Sequence, residues 1–208
     1  MIDTGDRVRS RPGGRSARLR EAVFAAVREE MIERGYAGLT IEAIAARAGV
    51  NRTTIYRRWG DKPRLVVDVL LDSVSEAVPM PDTGSIDEDL VQLLHEVTVN
   101  ITGSFASQVI HDLIGQMPHS PELKEVVHEF WERRFALNRE VIIRAIKRGD
   151  LPVGTDPDLL IEMSIGPLYL RLLVTDKPID GAYAERVALM VLAAVRSGGP
   201  APVTGARA

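Results

Sequence analysis

From about residue 16 to residue 196, apolar residues return every three or four positions, and capping residues and glycines cut the pattern into lengths. That periodicity admits helices and little else. No stretch alternates polar and apolar residues between hairpin turns, and no segment repeats at a fixed period. The expected fold is all-α, with about nine helices. With 45% apolar residues, the 208-residue chain can bury a core, and 26% charged residues is an ordinary share for a folded chain.

The punctuation places the elements. A helix over 16–34 has Val23, Phe24, Ala26, Val27 and Met31 on one face and stops at Gly35. Thr40 caps a helix over 41–48 with Ile41, Ile44, Ala45 and Ala48 inward, and Gly49 ends it. Asn51 caps a short helix over 52–58, and Asp61 opens a fourth that runs to about Ala77. Pro79, Pro81 and Gly84 mark a linker. Ser85-Ile86-Asp87-Glu88 reads as a capping box that opens a helix over 86–102. Helices follow over 105–116, 121–148 and 157–174, the last with Pro167 inside it and expected to kink there. A final helix opens at Asp180 and carries Ala184, Val187, Ala188, Val191, Leu192 and Val195 at helical spacing. The expected division is a disordered basic arm at 1–14, a head at 15–64, a body at 65–197 and a disordered tail at 198–208.

Charge separates head from body. Residues 1–64 hold 14 basic and 8 acidic side chains, and the rest of the chain holds 12 and 21. A basic head on an acidic body points to a polyanion partner for the head alone. Cys is absent, which excludes a disulfide scaffold, a thiolate metal site and a cysteine nucleophile. The first twenty residues have no apolar run of the signal-peptide kind. The longest apolar stretch, Met163 to Val174, is broken by Pro167 and Arg171, short of the roughly 18 residues of a membrane span. A soluble, cytoplasmic protein without a membrane partner is expected.

The head has helix-turn-helix organisation. Only Gly49-Val50-Asn51 separates the second and third helices, and the corner needs a glycine and an inward apolar residue. Ile55 and Trp59 fall four apart and anchor the third helix. Arg52, Thr53, Thr54, Tyr56, Arg57 and Arg58 are left around it, donors suited to phosphates and base edges in a major groove.

The stretch GYAGLTIEAIAARAGVNRTTIYRRWGDKPRL resembles the DNA-binding domain of TetR-type transcriptional regulators, over residues 19–65. It has the Gly-Tyr end of the first helix, the Ile-Ala-x-x-Ala-Gly-Val core, the Ile-Tyr-x-x-aromatic recognition helix, and Lys62 after it. It departs at Thr53, where Gly is frequent, and at Arg58, Trp59 and Asp61, where His, Phe and Ser or Asn are frequent. The resemblance implies phosphate contacts from Thr40, Tyr56 and Lys62, and groove contacts from Arg52 and Thr54. Arg15 and Arg18 would either follow the DNA as an arm or stay solvated. It also implies double-stranded operator DNA as partner, a homodimer built on the last two helices, and a small-molecule effector in the body. The expected function is a ligand-responsive regulator, a repressor released from a palindromic operator by a small hydrophobic effector, ahead of an activator of the same fold. A helical enzyme or carrier with a vestigial head is the alternative from another class.

The body carries apolar residues to spare. The helix over 121–148 has Leu123, Val127, Phe130 and Leu137 on one face and Trp131, Phe135 and Ile142 on another. A second apolar face serves a ligand cavity, a partner subunit or a central core, and the sequence leaves the three open. The expected cavity walls are Phe105, Val109, Met117, Trp131, Phe135, Met163 and Leu168, with Thr98, Thr102, His111 and Asn138 as polar groups. The expected dimer face is Val187, Val191 and Val195 with Leu168 and Leu172. His95, His111, His119 and His128 lack the spacing of a helical metal site, and no phosphate loop or nucleophile elbow occurs. No metal, cofactor or catalytic residue is expected.

Overall fold

In the computed structural model, which describes residues 13–73 and 80–198, α1 runs over Gly13–Gly38 and begins ahead of the expected residue 16. Gly35 breaks it where the sequence predicts, at φ 64°, and one more turn carries the chain to Gly38. Thr40 then starts α2, Ile41–Ala48: its hydroxyl accepts from the Ala43 N–H at 3.1 Å. α3 spans Arg52–Trp59 and α4 spans Lys62–Ser73. The expected helix beyond Ser73, the linker residue Pro79, most of the basic arm and the tail after Gly198 lie outside the described residues.

The chain divides into two units between Val69 and Leu70. In the first, Val23, Phe24, Val27 and Met31 from α1 are buried with Ile41 and Ile44 from α2 and Ile55 and Trp59 from α3. Arg47 on α2 holds this unit together in a way the spacing did not announce. Its guanidinium donates to Glu29 at 2.8 Å, to buried Glu30 at 2.8 Å, and to both oxygens of Glu33 at 2.9 and 2.7 Å, all on α1. These bonds hold the Glu33 carboxyl below its ordinary pKa and push that of Arg47 up.

The second unit contains α5 (Ile86–Thr102), α6 (Ser104–Gln116), a 3-10 turn (Met117–His119), α7 (Pro121–Arg148), α8 (Pro157–Leu170), a π-helical turn (Arg171–Thr175) and α9 (Gly181–Arg196). α5 packs along α9, and α7 lies against α8. Leu90, Leu93, Leu94, Ile142, Leu160, Leu168, Ala188 and Leu192 fill the space between them. Among the described residues there is no strand, and no helix is long and apolar enough to cross a membrane.

Three expectations need correction. The Ser85 side chain does not cap α5. Fully buried Asp89 instead accepts from the Thr83 N–H at 2.7 Å and hydroxyl at 2.9 Å, and its other oxygen takes Arg148 at 3.1 Å. A buried carboxylate needs all its partners. α8 carries Pro167 inside it as expected but ends at Leu170, and the last part of the expected helix widens into the π-helical turn. Finally, Val187 and Val191 are not a face left for a partner. They are buried in this unit's own core, as is Leu168, while Val195 and Leu172 pack partly against it.

Arg196 at the end of α9 grips Asp87 at the start of α5 with bonds of 2.8 and 2.6 Å, which hold the Asp87 carboxyl below its ordinary pKa. The pair is solvent-exposed, so Asp87→Asn should cost no more than about 1 kcal/mol at pH 7. A folded pKa below the unfolded one stabilises above the unfolded value, and that contribution fades as pH falls through the folded one. The stability gap between wild type and Asp87→Asn should therefore close in acid. Urea titrations at several pH values would show it.

Candidate nucleic-acid interface and apolar cavity

The corner between α2 and α3 is built from backbone bonds. Gly49 sits at φ 65° and donates to the Ala46 carbonyl at 3.3 Å, and the Val50 N–H reaches the Ala45 carbonyl at 3.0 Å. Asn51 caps α3 through its Oδ1, which accepts from both the N–H and the hydroxyl of Thr53 at 2.9 and 2.8 Å. Ile55 and Trp59 are buried as expected. The Trp59 indole donates to Asp68 Oδ2 at 2.8 Å, and its ring lies 6.0 Å from that of Phe24.

With α3 seated on those two side chains, Arg52, Thr53, Tyr56, Arg57 and Arg58 are exposed and Thr54 is half-buried. They form one outward surface of a single short helix. Arg52 lies 3.4 Å from Glu42. Arg58 donates to Ser16 Oγ at 2.8 Å and so ties α3 to the start of α1. Arg57 has no ion pair or hydrogen bond among the described residues. Arg18 is exposed on α1, which also includes Arg15.

Lys62 has an additional role that the sequence did not signal. Its ammonium donates to the carbonyls of Tyr36 and Leu39 at 3.1 and 3.2 Å and lies 4.2 Å over the Tyr36 ring. Partial burial lowers its pKa. Two of three N–H donors are thus committed to the α1–α2 corner beside Thr40, and one is left for an outside oxygen.

In the second unit a cavity of about 40 Å³ opens among α5, α6, α7 and α8 and the end of α4. Leu70, Val97, Ile101, Ile110, Phe130, Trp131 and Ile165 supply its apolar wall, and Asn100, Arg134, Asn138 and Tyr169 its polar groups. Trp131 is the centre of an aromatic cluster, with ring centroids 5.1 Å from Phe130, 5.7 Å from Phe135 and 5.2 Å from Tyr169.

Of the wall residues expected from sequence, this cavity takes Trp131 and Asn138. Helix phase separates the others from it. Ile165 and Tyr169 turn α8 toward the cavity, which leaves Leu168 in the core and Met163, roughly 160° around the helix from Ile165, half exposed. Val109 is fully buried, and Phe105, Met117 and Phe135 are partly so, outside the lining. Ile110 faces the cavity, and its neighbour His111 is exposed beside the Ser107 carbonyl at 2.8 Å. Thr98 is buried without a hydroxyl partner, and exposed Thr102 donates to the Thr98 carbonyl at 2.7 Å. Nine of the eleven lining residues were not among the expected walls, and Arg134 is the charged one. It stands three residues after Trp131 and four before Asn138, the helical spacing that brings all three to one face. Arg139 pairs with Asp158 at 2.6 Å, and Arg171 lies 3.3 Å over the Tyr183 ring.

Comparison with known proteins agrees with both units. Residues 23–69 match the family model of bacterial regulatory proteins, tetR family, and residues 80–191 match that of the tetracyclin repressor-like C-terminal domain. The HTH-type transcriptional regulator AqdR of Rhodococcus erythropolis is 35% identical over 79% of this chain and 80% of its own length. The regulator YdeS of Bacillus subtilis is 28% identical over 85% and 89%. The crystal structure of the TetR family transcription regulator SCO0332 superposes with a TM-score of 0.69 at 29% identity, covering 85% of this chain and 98% of that one. The helix-turn-helix, the helical second unit and these matches together make the chain a member of the TetR family of DNA-binding transcriptional regulators.

Proposed function

We propose that the chain is a homodimeric repressor which leaves a palindromic operator when a small molecule occupies the cavity of its second unit. It acts by binding, not by catalysis, and works in the cytoplasm, with residues 15–64 as the DNA-reading head and 65–197 as the effector and dimer body. The observation that carries this reading is α3: two buried anchors hold a short helix whose remaining side chains are exposed donors. A two-fold dimer would present two such helices to two half-sites.

The outward sides of α8 and α9 support the dimer. Leu159, Met163 and Leu170 on α8 and Leu189 and Met190 on α9 are about half or more exposed, as is Val174 in the π-helical turn. An apolar set of this kind on adjacent helices is a surface for a second copy.

A mobility-shift assay with the DNA upstream of the protein's own gene tests the reading, and no shift at any site would overturn it. Thr54→Ala and Arg52→Ala should each weaken specific binding by about 1–3 kcal/mol and relax the choice of base. Tyr56→Phe should weaken binding to all sequences alike, because a phosphate contact carries no base information. Competition against operator variants separates the two patterns.

A further inference from the structure

Among the described residues, the side chains of Asn100, Arg134, Asn138 and Tyr169 around the cavity make no hydrogen bond. Asn138 is 3% exposed, its side chain makes no hydrogen bond among the described residues, and its Oδ1 is sealed from solvent. Native interiors rarely leave such a group unpaired without a reason. The Tyr169 phenol is buried in the same wall, and desolvation pushes its pKa up against the opposing pull of Arg134. Arg134 itself, half-buried, has no ion pair among the described residues, whereas Arg139, Arg144, Arg148 and Arg196 of this unit are all bonded to carboxylates. The lining contains no Asp or Glu.

We infer that the cavity takes a compact organic carboxylate, with its apolar body against Trp131, Phe130 and Ile165 and its carboxylate against Arg134, Asn138 and Tyr169. This names the chemical class of the effector and rests on the reading of the cavity as an effector site. The argument is one of matching. A guanidinium offers only donors, in a fork that fits two carboxylate oxygens. The phenol adds a donor at the same site, as does the Nδ2 of the amide, whereas the sealed Oδ1 of Asn138 is an acceptor that a carboxylate does not satisfy. A cationic ligand would meet Arg134 with no counter-charge in the wall, and a phosphate ester would find a single cation. An opening of about 40 Å³, against the roughly 150 Å³ of a cavity that holds benzene, has room for only a few water-sized groups, so a ring or branched chain enters only as the wall side chains give way.

Matched pairs of acid and amide give the test. Phenylacetate and phenylacetamide, and 2-methylbutyrate and its amide, should be titrated against the full-length protein with indole emission and melting temperature as readouts. The acids should bind at least about 10-fold more tightly than their amides, and Arg134→Gln should reduce acid affinity about 10- to 100-fold, the effect of a lost hydrogen bond to a charged group. Arg134→Lys should retain the preference for acids. Trp131→Phe should abolish the emission change and leave the thermal shift. Asn138→Leu should melt higher than wild type without ligand, since it removes an unpaired polar group, and should bind the acids less well. Equal affinity for acid and amide overturns the inference. So does failure of both acids to bind, or an acid preference that survives Arg134→Gln. The DNA-binding reading fails separately: a protein that shifts its operator but ignores every acid loses only the effector class. One that binds acids through Arg134 but shifts no DNA loses only the regulatory reading.

Discussion

Trp59→Ala should unfold the DNA-reading unit under conditions where the wild type is stable, and operator binding should disappear with it. Trp59 is buried, lies 6.0 Å from the Phe24 ring, and ties α3 to α4 through its bond to Asp68. Truncating a buried aromatic costs about 3–5 kcal/mol, a large fraction of the roughly 5–15 kcal/mol that holds a domain together. Trp59→Phe keeps a ring in the site and loses the indole N–H, so it should cost about 1–2 kcal/mol and leave binding detectable. Chemical denaturation followed by a signal from the head, with operator titration on the same samples, distinguishes the two variants. A Trp59→Ala protein that melts like the wild type would show that α3 is anchored in some other way.

Met190→Asp should produce a folded monomer. Met190 is 74% exposed on α9, among the other outward apolar residues of the last two helices, so a carboxylate there harms only what covers it. A head without its partner reads a single half-site, and operator affinity should fall toward the non-specific range, about 1,000-fold or more. Val191→Asp is the contrasting case. Val191 is 6% exposed within the core of its own unit, so that variant should fail to fold at all. Val153→Asp, at a 90% exposed loop residue, should change little. Light scattering and thermal melts on the three variants decide the matter. If Met190→Asp remains dimeric, the subunits meet elsewhere.

The elements that repeat a local rule were legible in the sequence. Thr40, Asn51 and Asp180 cap their helices through their side chains as their positions predict, and Gly49 ends its helix in the left-handed region. The α3 surface followed from the same logic, because two buried residues four apart leave the others outside. What periodicity could not settle was phase between helices. The stripe Val187–Val191 is apolar either way, and only its neighbours on α5 and α8 make it core instead of contact surface. Phase also decides which apolar side chains line the cavity of the second unit. Val109 and Leu168 are as apolar as Ile110 and Ile165, but the latter pair face the opening. Long-range polar choices were invisible too. That Asp89 and not Ser85 organises the entry to α5 depends on Arg148, 59 residues away.

The bonds made by Arg47 and Lys62 bear on how the protein should respond to salt. The head's formal excess of positive charge overstates the cations available to displace counterions from DNA. Arg47 is shared among three glutamates, Arg64 sits against Asp61, and Lys62 has two of its donors on main-chain carbonyls. The logarithm of a binding constant falls with the logarithm of salt concentration by about 0.9 for each phosphate neutralised. Operator affinity should thus decline with ionic strength more gently than the basic residues of the head would suggest. Because the Arg47 bonds and the Lys62 contacts are internal to the head, its shape should persist at salt concentrations that have already dissociated it from DNA.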